Sequence, residues 1–432
     1  FASPGEDQLA WRNGEWRAAR LRTAELPAGK LAVRGDGTYL IIGGLGALGQ
    51  RVVDWLVARG ARRFALVGRR PPSPAAETAF ANWRGRGAKI TVHALDAAEA
   101  DAMRSLVAQL TSDGTRLRGV VHAAGVPGFT PVEALDASTL AAVLRPKVAG
   151  AWALHEAVEG QPLDFFVLFS SIASAWGSKG QTHYAAANYF LDALAHHRRA
   201  HGLPALSVNW GPWSGGGMAT DEARVQLNRV GVGALPPAAA LHTLDHALAA
   251  GVTQIVAARV DWGTFLPIME SRGLRPFFAI SGAVRPGPAA AAAVAPALRA
   301  ELVALDRAAR AERMLAHTRR VVALVLRLPD GMLPEPRQGF SDMGVDSLMA
   351  VEIRNRLAAD LGCTLPATLV FDHPEIERLT RHLLETCEGT LPAPVGGPTP
   401  WEAPVQAETR ARLSEMSEDE AEALLLKKLA QL

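Results

Sequence analysis

The sequence predicts an α/β fold, a doubly wound parallel sheet, with a small all-α bundle behind it, and three observations carry that expectation. From residue 38 the chain reads TYLIIGGLGALGQRVVDWLVARGARRFALVGRR: an apolar strand, a glycine turn, an amphipathic helix and a second strand. Further apolar runs at 90–95, 119–122, 164–169 and 205–209 alternate with helical stretches, as strands buried on both faces by crossover helices do. Beyond a Pro/Ala tract at 281–296 the periodicity is helical, to about residue 388.

Taken in order, residues 1–35 are a lead-in in which LAWRNGEWRAARL reads as a short hairpin turning at Asn13-Gly14, a pair suited to tight hairpin turns. Residues 36–280 hold the sheet, and 281–299 form a semi-extended Pro/Ala linker. The bundle occupies 300–388: a long amphipathic segment, a Pro/Gly loop, a helix starting near Ser347 and a last helix after Pro374. A Pro/Gly linker at 389–412 leads to LSEMSEDEAEALLLKKLAQL at 413–432. There Ser417 and Glu420 form a capping box, Leu424, Leu425 and Leu429 an apolar face, and Lys427 and Lys428 complement the helix dipole. So short a helix is marginal in water without a partner.

Composition narrows the class. The 432 residues exceed the usual single domain, and a net charge of +2 with interspersed signs leaves no footprint for nucleic acid. Cys363 and Cys387 are too few for a disulfide framework and lack metal-ligand spacing, so no metal is expected and a reducing, cytoplasmic setting is. No run is long enough to span a bilayer and no leader precedes the fold, so no membrane association is expected. The first residue is Phe1 rather than methionine, which reads as a piece cut from something longer.

The glycine turn is GGLGALG, residues Gly43, Gly44, Leu45, Gly46, Ala47, Leu48 and Gly49. Gly44, Gly46 and Gly49 supply G-x-G-x-x-G between a strand and a helix, where backbone can approach a pyrophosphate and the helix N-terminus offers amide donors. An NAD-preferring fold usually carries an acidic residue at the end of the second strand. Here Arg69 and Arg70 stand there, which favours the 2′-phosphate of NADPH. Downstream, the strand-end pair Ser170-Ser171 precedes a glycine-containing loop and an alanine-rich helix that places Tyr184 and Asn188, four apart, on one face. Taken alone, the pair Ser171 and Tyr184 reads equally as a turn cap and an ordinary half-buried aromatic.

Beside this loop stand HAAG at 122–125, PKVAGAW at 146–152, FSSIASAWG, YAAAN and VNWGPW at 208–213. Together they resemble the ketoreductase domain of modular polyketide synthases, a branch of the short-chain dehydrogenase/reductase superfamily, over about residues 36–280. The resemblance implies a Rossmann core and NADPH-dependent reduction of a β-ketoacyl thioester. It makes Tyr184 the general acid and Lys147 the ammonium that stabilises its phenolate. Ser171 becomes the hydrogen-bond donor to the carbonyl, and Asn188 the partner of Lys147 or of a relay water. Ordinary superfamily members carry lysine four residues after the tyrosine; this chain has Asn188 there and Lys147 upstream, an exchange the synthase domains share. Cofactor contacts implied are the glycine loop, Arg69, Ala123 and Gly125. Asp96 either contacts adenine or caps the following helix, while His122 reads as structural. Residues 1–35 correspond to the end of the family's non-catalytic N-terminal half. Trp176, eight residues before Tyr184, marks domains that give the L-hydroxyl; the Leu-Asp-Asp place of the D group reads Pro127-Gly128-Phe129. Gln181 stands where a histidine marks α-epimerising members.

The segment GFSDMGVDSLMAVEIRNRL, with FDHPEIERL at 371–379, resembles the acyl carrier protein family over about 300–388. It implies that Ser347, after Gly-x-Asp, carries 4′-phosphopantetheine; serine at a helix start is also a good N-cap. The terminal segment resembles post-carrier docking helices. Implied partners are the ketosynthase, the acyltransferase, a downstream docking partner and a phosphopantetheinyl transferase, with the intact synthase a homodimer. A free-standing reductase of a small ketone and a non-catalytic docking scaffold are the other readings; the carrier segment opposes the first and the complete Ser171, Tyr184, Lys147, Asn188 set opposes the second.

Overall fold

The computed structural model describes residues 6–271, 275–279, 297–329 and 331–388, and the chain groups into two compact units, 23–261 and, together, 1–22 with 262–432. The chain opens with the antiparallel pair β1 (Leu9–Arg12) and β2 (Glu15–Ala18). Asn13 at φ 52° and Gly14 at φ 82° make the turn, as the Asn-Gly pair predicts. Asp7 accepts hydrogen bonds from Arg275 Nε at 2.7 Å and from the Phe277 amide at 3.0 Å. Segment 262–279 therefore groups with the lead-in, and the division falls at 261 rather than at residue 280.

The unit 23–261 is built on β3 (Gly37–Ile42), β4 (Arg63–Gly68), β5 (Lys89–Ala94), β6 (Arg116–His122), β7 (Phe165–Ser171) and β8 (Leu206–Trp210). Past a two-residue strand β9 (Val232–Gly233), which pairs antiparallel with β11 (Arg259–Val260), comes β10 (Gln254–Ala257). The seven-stranded sheet runs β10-β8-β7-β6-β3-β4-β5 with every pairing parallel. Four strands expected from sequence appear within three residues of their expected bounds. The edge strand β10 was not expected: it has four residues, Gln254 is exposed and Ile255 and Val256 are half-buried, too little apolar run to stand out.

Alternation along the strands feeds two cores. Tyr39, Ile41, Leu66, Phe165 and Val167 pack with Val52, Leu56, Phe80, Trp83 and Leu244 from α1 (Ala47–Ala58), α2 (Pro74–Gly85) and a later helix, Pro237–Ala249. Leu40, Ile42, Val67, Phe166 and Leu168 face Met103, Leu154, Leu191 and Leu194 from α3 (Ala100–Thr111), from α5 (Ala149–Ala157), which follows α4 (Ala137–Lys147), and from α7 (Thr182–Ala200). Each such fully buried side chain contributes roughly 1.5–3 kcal/mol, so the sheet is held from both faces. The strand order reverses between β3 and β6, which opens a crevice at their carboxyl ends. The short α6 (Ile172–Trp176) follows β7 there, α8 (Asp221–Arg229) follows β8, and Pro237–Ala249 is α9.

The other unit contains α10 (Trp262–Met269), α11 (Ala297–Val303), α12 (Arg307–Leu326), α13 (Ser347–Leu361), α14 (Leu369–Asp372) and α15 (Ile376–Glu388). Met314, Val322, Ile353, Leu357, Leu369, Leu379 and Leu383 join α12, α13, α14 and α15 in one core. The segment α11 begins inside the span 281–299 that composition assigns to a linker. Residues 281–296, the linker 389–412 and the terminal helix 413–432 with Ser417 and Glu420 lie outside the described residues. Among the described residues no helix is long and apolar enough to cross a membrane, and no three or more His, Cys, Asp or Glu are grouped to hold a metal ion.

Candidate active site and carrier serine

The crevice is floored by the glycine loop. Gly43 sits at φ +80°, and a Cβ there would lie 2.8 Å from the Ala124 amide; a Cβ on Gly49 would lie 2.3 Å from the Gly43 carbonyl. Both positions therefore exclude side chains. Leu45 lies over Gly68 at the end of β4, Leu48 is half-buried on α1, and Ala123 bonds through its amide to the Ile42 carbonyl at 2.8 Å. Gly46 is the N-cap of α1, with no side-chain cap and no acidic residue in the first turn. The positive end of the helix is thus left for an external anion, and the donor set fits a dinucleotide pyrophosphate. Arg69 is exposed just past β4. Asp96 accepts from the Ala98 amide at 3.0 Å and from Arg145 Nε at 3.1 Å. Burial raises its carboxyl, yet the Ala98 amide and Arg145 bring it below the usual range. Glu99, not Asp96, is the N-cap of α3, so Asp96 closes the preceding turn.

Four polar residues gather beyond this floor. Ser171 ends β7, and its Oγ accepts from the Ala173 amide at 3.2 Å as the N-cap of α6. Capping and carbonyl donation are compatible, because the hydroxyl proton stays free for a second partner. Tyr184 lies in the first turns of α7 and is 9% exposed. Burial pushes its phenol up, while the nearby Ser171 and Asn188 side chains pull it back. Asn188 is fully buried; its Nδ2 donates to the Tyr184 carbonyl at 2.7 Å, and its Oδ1 has no hydrogen-bond partner.

Lys147 ends α4, is 3% exposed, and donates from Nζ to the Phe169 carbonyl at 2.9 Å rather than to Tyr184. Desolvation lowers its pKa to about 8, against the opposing pull of Asp192. A Cβ on Gly125 would lie 2.9 Å from Lys147 Cε, so the last residue of HAAG is a glycine that leaves room for the lysine. His122 is fully buried and donates from Nε2 to the Pro146 carbonyl at 3.0 Å. Burial, with Lys147 nearby, drives its pKa down to about 3, so the ring is neutral and anchors the end of α4.

Trp176 closes α6 and is buried. Gln181 Nε2 donates to the Gly128 carbonyl at 3.1 Å, and the Thr130 amide to the Gly180 carbonyl at 2.7 Å. The two loops that the stereochemical reading singles out are therefore stitched together. Phe129 is 75% exposed, with its ring against Gly180.

In the helical unit Ser347 is the first residue of α13, and Asp346 takes the N-cap role, its Oδ1 accepting from the Met349 amide at 2.9 Å. The capping alternative for Ser347 is thereby filled by its neighbour. Ser347 is half-buried.

Sequence reasoning missed the polar cluster behind the site. Asp192 is 2% exposed and accepts from Ser207 Oγ at 2.6 Å, Ser174 Oγ at 2.8 Å and Asn209 Nδ2 at 2.8 Å. Ser170 Oγ donates to the Asn188 carbonyl at 3.2 Å and lies 3.1 Å from Asn209 Nδ2. A signal existed: Asp192 falls four residues after Asn188 and eight after Tyr184, on the same helical face.

Comparison with known proteins agrees with this layout. Residues 37–215 match the KR domain family, and residues 318–383, which include Ser347, match the phosphopantetheine attachment site family. A solved A1-type ketoreductase is 40% identical with a TM-score of 0.61, covering 64% of this chain and 59% of that one. The fold and site thus define a ketoreductase domain followed by a carrier domain. The pikromycin polyketide synthase component PikAIII of Streptomyces venezuelae is 38% identical over 420 residues, 93% of this chain and 26% of its own length. Polyketide synthase GfsB of Streptomyces halstedii is 39% identical over 403 residues, 91% of this chain and 7% of its own length. The chain is thus similar to parts of modular polyketide synthases, and it spans about a quarter or less of these relatives.

Proposed function

We propose that the chain reduces a β-ketoacyl thioester, tethered through phosphopantetheine on Ser347 or on an equivalent carrier, to the L-β-hydroxyacyl thioester with NADPH, without α-epimerisation. The convergence of Ser171, Tyr184, Asn188 and Lys147 at the mouth of the sheet carries this reading. When bound, the reduced nicotinamide supplies the hydride. Ser171 Oγ donates to the ketone oxygen where negative charge develops, and Tyr184 gives that oxygen its proton. The Lys147 ammonium and the Asn188 amide stabilise the phenolate that remains. With the Lys147 pKa near 8, the rate declines as pH rises through that value and the ammonium is lost. Arg69 supports NADPH over NADH, Trp176 supports the L-hydroxyl, and Gln181 supports retention of the α-centre.

The loop-and-helix setting of Ser347 supports its role as the modified hydroxyl: the N-terminus of α13 favours the phosphodiester that results. A phosphopantetheinyl transferase, the upstream catalytic domains and a downstream docking partner complete the proposed set. Recording loss of nicotinamide absorbance with a β-keto thioester, followed by chiral chromatography of the product, tests the reading. Absence of turnover would sink it, and a predominantly D-β-hydroxy product would sink its stereochemical part.

A further inference from the structure

We infer that Asp192 is a positioning residue for this reduction, the buried carboxylate to which the strand end of Ser171 and the backbone of Asn188 are both tied. The inference rests on the reductase reading.

A carboxylate taken out of water is costly unless its oxygens are hydrogen-bonded. Asp192 meets that condition with Ser207 on Oδ1 and Ser174 and Asn209 on Oδ2. From those donors the contacts lead to the site. Ser174 Oγ lies 2.7 Å from the Ser171 carbonyl, and Asn209 Nδ2 lies 3.3 Å from it. Ser170 Oγ, within reach of Asn209, holds the Asn188 carbonyl. Gln254 Nε2 donates to Asn209 Oδ1 at 3.0 Å, which orients the Asn209 amide with its N–H groups toward the carboxylate. A purely structural role would need only the hydrogen bonds. The charge has a use of its own: Asp192 raises the pKa of the dry Lys147 ammonium against desolvation, while the neutral His122 ring brings no charge, and the donors around Asp192 pull its own carboxyl down against the burial that pushes it up. Without a counter-charge, a cation this deeply buried gives up its proton more readily.

Asp192→Asn separates charge from shape. A serine hydroxyl can accept as well as donate, so Ser207 can turn to receive the new amide while the remaining oxygen still faces Ser174 and Asn209. The measurement is steady-state NADPH oxidation by the whole chain with a diffusible β-keto thioester, across pH. We expect kcat to fall about tenfold or more, as small misplacements of reacting groups do, with KM nearly unchanged. The alkaline limb should move to lower pH by about one unit, because removing the negative charge lowers the Lys147 pKa.

An unchanged kcat, or a fall in kcat with the alkaline limb unmoved, overturns the inference. If Asp192→Asn does not fold, Ser207→Ala, which keeps the charge and removes one donor, decides instead. A smaller fall in kcat at constant KM supports the role, and wild-type kcat overturns it. NMR titration of ε-13C-labelled lysine, assigned through Lys147→Arg, follows the ammonium without turnover. A wild-type chain that oxidises no NADPH would defeat the reductase reading, whereas a Lys147 titration unmoved by Asp192→Asn would defeat this inference alone.

Discussion

Two hydroxyls, Tyr184 and Ser347, each sit in the first turns of a helix, and their surroundings could hardly differ more. Tyr184 is buried against Ser171 and Asn188, with Lys147 and a carboxylate network behind them. Ser347 is half-buried at the start of α13, and a neighbouring aspartate does the capping that would otherwise engage it. A hydroxyl that performs chemistry needs its acidity set by the groups around it, because an ordinary phenol near pKa 10 holds its proton too tightly for neutral pH. A hydroxyl that receives a group from another enzyme needs only to be reachable and held in place. On the proposed reading, the same functional group is therefore embedded in the first role and presented in the second.

The sharpest way to break this contrast is Ser347→Ala. Treatment with a phosphopantetheinyl transferase is expected to add one arm to the wild-type chain and none to the variant, read by intact-mass spectrometry; a mass gain that survives the substitution sinks the assignment. Next in size is Tyr184→Phe, which removes the proton donor and should cost on the order of 10²–10⁴ in rate, with nucleotide binding by fluorescence titration retained. Near-normal reduction by that variant would return Tyr184 to the status of a packing aromatic. Arg69→Ala should raise the KM for NADPH by about tenfold, one charge-assisted phosphate contact, and leave NADH nearly untouched; equal losses for both would indicate a structural arginine. The smallest effect belongs to Asp346→Ala, about 1 kcal/mol of carrier stability for a lost cap, measured by denaturant unfolding. If that substitution also slows arm transfer at Ser347, presentation of the serine depends on the cap.

How far the sequence could be read follows from the same contrast. Features written in contiguous residues were legible: the glycine loop, the strand runs from β3 to β8, the Asn13-Gly14 turn and the start of α13 at Ser347. The edge strand β10 was not, because a four-residue strand with half-buried side chains leaves no period to detect. Resemblance named Lys147 and Tyr184 together, but only folding could show Lys147 bonded to the Phe169 carbonyl, with Gly125 cleared to admit it. The Asp192 cluster draws on β7, α6, α7 and β8, and no local motif links Ser170, Ser174, Ser207 and Asn209. Asp96 illustrates the remaining limit: a strand-end aspartate announces a cap, yet which amides it takes depends on where the helix begins, and α3 begins after Glu99.

On the proposed stereochemical reading, the packing at Gly128 bears on any attempt to redesign the product's handedness. A Cβ built on Gly128 would stand 2.4 Å from Nε2 of His183, a ring that is 2% exposed and wedged beneath the loop. By the family resemblance, position 128 lies in the place where D-type domains carry Leu-Asp-Asp. Transplanting that tripeptide into 127–129 would drive a side chain into the imidazole of the residue preceding Tyr184, so the graft is a two-site problem. Swapping the loop alone should disturb the tyrosine before it ever reverses the face of attack, and a smaller residue at 183 is the companion change that such a graft requires.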